Sequence, residues 1–166
     1  MAKTNHGDDL GLAGKVAIIT GAGAAGDGIG NGRAAAILLA RAGTRVLVAD
    51  RQIELARRTA EMITEEGGEA IAFAADVADE GQCRAMVDAA VSKFGRLDLL
   101  DNNVGIASSG SVVEEEPEIW RKLMQVNVES MFLVSKYAIP AMLDTAKSGA
   151  HCFSFCTFYI FFLFEI

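Results

Sequence analysis

The sequence predicts an α/β fold, a doubly wound parallel sheet with helices on both faces. Three observations carry that expectation. Short apolar runs alternate with stretches of helical composition, in the order strand-helix-strand-helix-strand-helix-strand. A glycine-rich stretch, Thr20 to Arg33, joins the first apolar run to the first helical stretch. Acidic and amide residues, Asp50, Asp76 and Asn102-Asn103, close later apolar runs. In a parallel sheet all of these fall at the carboxyl ends of the strands, where such folds bind ligands.

Taken in order, strand one is Lys15 to Thr20, and the alanine-rich helix after the glycine turn stops at Gly43, a natural C-terminal glycine. Strand two is Arg45 to Ala49. Helix two runs from Ile53 to Glu66 and ends at Gly67-Gly68. Strand three is Ala70 to Ala75, followed by helix three from Glu80 to Phe94 and the stop at Gly95. Strand four is Leu97 to Asn102. A long helix then opens at Pro117, where proline suits a first turn. Along it Ile119, Leu123, Val126, Ser130, Val134, Tyr137 and Ala141 recur on one face, while Trp120, Met124, Phe132 and Leu133 make other faces apolar. A helix apolar on several sides needs more cover than its own sheet, and a second subunit would supply it.

The glycine stretch contains Gly21-x-Gly23-x-x-Gly26 and then Gly28-Ile29-Gly30. Glycines let the backbone approach a pyrophosphate, and the following helix N-terminus presents unpaired N–H groups. A strand before, a helix after, and Asp50 twenty residues beyond Gly30 supply the context that turns a weak motif into a dinucleotide site. The plain alternative is a glycine loop without a ligand.

Composition narrows the field. With 166 residues, 51% of them hydrophobic and 22% charged, the chain is long enough for one domain with a real core. A net charge of −7 disfavours non-specific binding to nucleic acid or anionic membranes. Cys83, Cys152 and Cys156 are odd in number and lack metal-type spacing, which fits reduced thiols and a cytoplasmic location. His6 and His151 stand apart from other ligand types, so no metal site is expected. Met1 to Leu12 lacks an apolar leader core; residues 1–11 are expected to be a flexible segment, 12–150 the nucleotide-binding domain and 151–166 a separate tail.

With these residues assembled, the chain resembles the short-chain dehydrogenase/reductase family over about residues 12 to 150. The resemblance rests on Thr20-Gly21 with Gly28-Ile29-Gly30, on Asp50, Asp76-Val77, Asn102-Asn103-Val104-Gly105 and Asn127. It implies the N-terminal portion of a Rossmann-type fold and an NAD- or NADP-dependent oxidoreductase that moves a hydride between the cofactor and an alcohol or carbonyl. Gly21, Gly23, Gly28, Ile29 and Gly30 would hold the pyrophosphate. Asp50 would take the adenosine ribose hydroxyls, with Arg51 beside it, and Asp76 and Val77 the adenine edge. Asn103 and Gly105 would contact the cofactor, and Asn127 would be the catalytic-tetrad asparagine. A carboxylate at Asp50 would repel a 2′-phosphate, and no Arg or Lys lies between Thr20 and Gly32, so NAD is expected rather than NADP. The complete family form would be a homo-oligomer through the 117–147 helix.

Three departures from the family pattern stand out. The glycine loop is long, with six residues between Gly21 and Gly28. Asp101 interrupts an apolar strand, where an unpaired carboxylate would be expected to take up a proton. The family's serine would fall near Cys156 or Ser154, whereas its Tyr-x-x-x-Lys pair would lie beyond Ile166. Tyr159 has Leu163 four residues on, and Lys136-Tyr137 is adjacent and reversed. Six of the nine phenylalanines follow Ala150, and part of this tail could add a fifth strand. The tail reads as a truncated, frame-shifted or mis-spliced end. The chain is therefore expected to keep the cofactor half and lack the catalytic half. The alternatives are a non-catalytic NAD-binding or dimerisation fragment and a truncated product without function.

Overall fold

In the computed structural model, residues 11–24, 28–146 and 153–156 are described. The expectations for residues 1–10 and 157–166, Tyr159 among them, lie outside these, as do His6, Cys152 and His151. The elements alternate as anticipated: β1 (Val16–Thr20), α1 (Asn31–Arg41), β2 (Arg45–Asp50), α2 (Ile53–Glu65), β3 (Ala70–Ala74), α3 (Glu80–Phe94) and β4 (Leu99–Asn102). Then come α4 (Pro117–Met124), a π-helical turn (Gln125–Glu129), α5 (Ser130–Ala146) and β5 (Phe153–Cys156). The anticipated fifth strand is thus present, pairing Leu99 to Asn102 with Phe153 to Cys156.

All strands run parallel in the order β3-β2-β1-β4-β5. β1 is central and every one of its residues is buried. From β1 the chain winds outward through β2 and β3, then crosses back to place β4 on the other side of β1. The carboxyl ends of β1 and β4 therefore flank the switch point at which such sheets open a crevice.

Side-chain alternation along the strands builds two cores. Val16, Ile18, Leu47 and Leu100 pack with α3 and α5 on one face. Ala17, Ile19, Val46 and Val48 pack with α1 and α2 on the other. Burying one such Ile or Leu contributes about 1.5–3 kcal/mol.

Several boundaries differ from the sequence reading by a residue or two, and two of them have one physical reason. β1 begins at Val16 and β4 at Leu99, because the Asp98 side chain takes the place of a ladder partner. Its carboxylate accepts the Val16 N–H at 2.9 Å, while the Asp98 N–H donates to the Val16 carbonyl at 2.9 Å. Helix three begins and ends as expected: Asp79 caps it by accepting the Gln82 N–H, and Gly95 closes it at φ 78°.

Candidate functional site

The glycine stretch leaves β1 at Gly21, which holds φ 61°, and Ala22 donates to the Ala49 carbonyl at 3.0 Å. Glycine is demanded by the fold itself at two further points. A Cβ on Gly23 would sit 2.5 Å from Asp50 Oδ2, and one on Gly32 would strike Asn103 Nδ2 and, at 2.5 Å, the Gly21 carbonyl. Gly32 was not among the residues singled out from the sequence. It lets the first turn of α1 lie directly against the end of β1.

Gly30 and Gly105 behave differently. A Cβ on Gly30 would come no closer than 3.6 Å to Ala24, and one on Gly105 no closer than 3.9 Å to Asn127 Oδ1. Among the described residues, none crowds either position. Gly30 is the residue before α1 and offers no side-chain cap, and the first turn of the helix carries no acid. Gly28, Ile29, Gly30 and Asn31 are all exposed. The N-terminus of an eleven-residue helix has the kind of N–H donors and dipole end that bind an anion.

Asp50 closes β2 beside this loop. Its Oδ2 accepts the Gly23 N–H at 3.1 Å and its Oδ1 the Gln52 N–H at 2.9 Å, so one carboxylate ties the loop to the start of α2. Arg51 is exposed next to it. Asp76 Oδ1 accepts the Ala78 N–H at 2.9 Å and the Asp76 N–H donates to Gln82 Oε1, while Val77 is buried with its carbonyl facing Cys83 Sγ at 3.2 Å. The pair forms the turn into α3, and Asp79 provides the cap.

Asn103 is the hub between β1 and β4. Its N–H donates to Thr20 Oγ1 at 3.0 Å, and Nδ2 donates to the Thr20 and Gly21 carbonyls at 3.1 Å each. Thr20 Oγ1 in turn donates to the Asp101 carbonyl at 3.1 Å. Asn127 lies in the π-helical turn and is 9% exposed. Its Nδ2 donates to the Ile106 carbonyl and its Oδ1 accepts the Ile106 N–H, both at 2.8 Å. A π turn widens the helix by one residue and is common at functional sites. Here it carries Asn127 to the segment that holds Gly105.

Arg33 is the residue that the sequence reading missed. It is 1% exposed and reaches under the loop. Nη1 donates to the Gly28 carbonyl at 2.7 Å, Nη2 to the Ala24 carbonyl at 3.0 Å, and Nε to Thr59 Oγ1 at 3.0 Å. The signal was available, because Arg33 lies in helical phase with the buried Ala36, Ile37 and Ala40.

Two acids around β4 respond to burial in opposite directions. Burial pushes the Asp101 carboxyl up to about 6, and its Oδ1 has no hydrogen-bond partner. Burial also pushes Asp98 upward, but the Arg96 guanidinium at 2.6 Å, the Val16 N–H and Lys15 outweigh it and hold that carboxyl below its ordinary value. At the surface, Tyr137 Oη donates to Glu80 Oε1 at 2.7 Å and Lys136 pairs with the same oxygen at 2.6 Å. The hydrogen bond to Glu80, followed by burial and the Glu80 charge, raises the Tyr137 phenol above its ordinary value. A tyrosine base needs the opposite shift.

Among known proteins, the family model described as short chain dehydrogenase matches residues 15–151. The chain is 41% identical over 133 residues to an uncharacterized oxidoreductase of Thermotoga maritima, covering 80% of this chain and 50% of that protein. It is 40% identical over 137 residues to cyclohexanol dehydrogenase of Acinetobacter sp. (strain SE19), covering 82% and 52%. The crystal structure of hydroxysteroid dehydrogenase from Escherichia coli superposes with a TM-score of 0.74 at 36% identity, covering 81% of this chain and 55% of that one. The chain thus spans about half the length of the relatives it matches. With its parallel sheet, its glycine stretch and this match over most of its length, the chain belongs to the short-chain dehydrogenase family of oxidoreductases.

Proposed function

We propose that this chain supplies the NAD-binding half of a short-chain oxidoreductase that moves a hydride between the nicotinamide and a small alcohol or carbonyl. The observation that carries this reading is the N-terminus of α1, preceded by the exposed Gly28, Ile29 and Gly30 and free of acids in its first turn, with Asp50 at the end of the neighbouring strand. In it, the residues from Gly28 to Gly30 hold the pyrophosphate and Gly21 and Gly23 let the backbone approach it, Asp50 takes the ribose hydroxyls, and Asp76 and Val77 the adenine edge. Asn103 and Gly105 border the nicotinamide side, and Asn127 holds the loop there. Bound, the nicotinamide ring would accept or supply the hydride.

NAD is favoured over NADP. The Asp50 carboxylate would face the 2′ position, and Arg33, the first base after the loop, is directed to loop carbonyls and Thr59 rather than to that ribose. Arg51 is the remaining nearby base, and it is exposed. A homo-oligomer through the helical stretch 117–147 and a cytoplasmic location complete the proposal. No helix among the described residues is long and apolar enough to cross a membrane.

A non-catalytic, NAD-binding role is the second reading. It is favoured by Tyr137, the tyrosine among the described residues, whose hydroxyl is bonded to Glu80 and whose proton is held more tightly than usual.

Fluorescence titration with NADH and NADPH tests the cofactor assignment. NADH should bind more tightly, and Asp50→Asn, which keeps an acceptor but removes the charge, should narrow the gap. Asp50→Ala should weaken NADH by about 1–3 kcal/mol, the scale of charged hydrogen bonds. Equal affinities for the two cofactors in the wild type would overturn the assignment.

A further inference from the structure

Three carbonyls of the glycine stretch converge on two buried side chains. Arg33 donates to the carbonyls of Ala24 and Gly28, one on each side of residues 25–27. Thr59, 0% exposed on α2, accepts the Arg33 Nε–H and donates to the Ala22 carbonyl at 2.8 Å. We propose that Arg33 and Thr59 form a clamp that turns the loop's carbonyls inward, commits the Gly23 amide to Asp50 and aims the Ile29 amide at a bound diphosphate.

The argument rests on the peptide unit. In a trans peptide the C=O and the next residue's N–H point in opposite directions. The unit between Ala22 and Gly23 displays the consequence: its carbonyl faces Thr59, and its N–H faces the Asp50 carboxylate at 3.1 Å. The unit between Gly28 and Ile29 follows the same rule. Its carbonyl is held by Arg33 at 2.7 Å, so the Ile29 N–H is directed away from the interior, at a residue 67% exposed beside the open end of α1. Without the clamp, the glycines at 23, 28 and 30 would let these peptide units rotate, and the Ile29 amide would have to be reordered at each binding event.

Arginine suits the task better than lysine. Its planar fork fixes two carbonyls at once, and the third nitrogen engages the threonine. Arg33 is thus a positioning residue for the diphosphate, acting through the loop and making no contact of its own with the ligand.

This inference depends on the dinucleotide reading, and the test separates the two. ADP, which carries the diphosphate, and adenosine, which lacks it, are titrated by NMR into the full chain and into Arg33→Lys, Arg33→Met, Thr59→Val and the Arg33→Met/Thr59→Val double variant. ADP affinity should fall about tenfold or more in both Arg33 variants, the scale of losing charged hydrogen bonds, while adenosine affinity stays at the wild-type value. Thr59→Val, a gentler change that keeps the shape, should weaken ADP less. The double variant should be no worse than Arg33→Met, because the two side chains act as one unit. Wild-type ADP binding retained in Arg33→Lys would overturn the clamp alone, since charge without the fork would then suffice. Equal losses of ADP and adenosine would overturn it too, reducing Arg33 to a stability residue. Failure of the wild type to bind ADP would remove the dinucleotide reading and the clamp with it.

Discussion

Asp98 and Asp101 are three residues apart, and their environments give them opposite pH behaviour. Asp98 is held below its ordinary value, so its stabilisation is present above that value and is lost as pH falls through the folded one. Asp101 is raised from 3.8 to about 6, so the folded state binds the proton more strongly between those values. Stability attributable to Asp101 therefore falls as pH rises through that window, and above it the buried charge costs its full amount. Asp101→Asn should be more stable than wild type at neutral pH by about 1–3 kcal/mol, allowing for partial exposure. The gain should vanish near pH 4, measured by urea unfolding across a pH series; a constant difference at all pH values would show that packing, not ionisation, is responsible. The Asp101 anomaly was legible in the sequence, because an acid inside an apolar run has few places to go. The rest of the Asp98 pairing was not: Arg96 is a near neighbour in sequence, but Lys15 and Val16 meet it only once β1 and β4 lie side by side.

At the level of elements, composition and glycine stops placed nearly every strand and helix, and the makeshift strand after Ala150 was anticipated. The long helix was legible in extent and, from Val126 onward, in its core face: Val126, Ser130 and Val134 are buried and Tyr137 and Ala141 pack against the core. α4 buries none of its residues, and Ile119 and Trp120 are exposed, whereas Val126, Ser130, Leu133, Val134, Ala138 and Met142 face the core. The π-helical turn, Gln125–Glu129, marks where the helix passes from its exposed first part to its buried second part. Sequence periodicity assumes a uniform helix and cannot see such a turn. Beyond it, Phe132, Ile139 and Leu143 stand 64%, 45% and 62% exposed at helical spacing, an apolar strip with the character of a subunit interface. Phe132→Glu should shift the chain from oligomer to monomer in size-exclusion chromatography with light scattering, without altering NADH affinity. An unchanged elution volume would place the interface elsewhere.

Across the molecule, the parallel topology and the clustering of site residues at one edge followed from the alternation of elements. The division of the interior into two unequal cores did not, because it depends on which helix crosses which face. That division has a consequence for how the chain emerges during synthesis. The core under α1 and α2 draws its buried residues from Ala17 to Ile63, whereas the core under α3 and α5 reaches from Val16 to Met142. One side of the sheet can therefore be sealed while the other waits for the last helix to be made. On ribosomes stalled after Val77 has emerged, the segment from β1 to β3 should already resist pulse proteolysis while still binding a dye specific for exposed apolar surface. That dye signal should disappear only when Met142 is free to dock. Nascent chains that stay fully protease-sensitive until Met142 emerges would instead mean that neither side can close without the other.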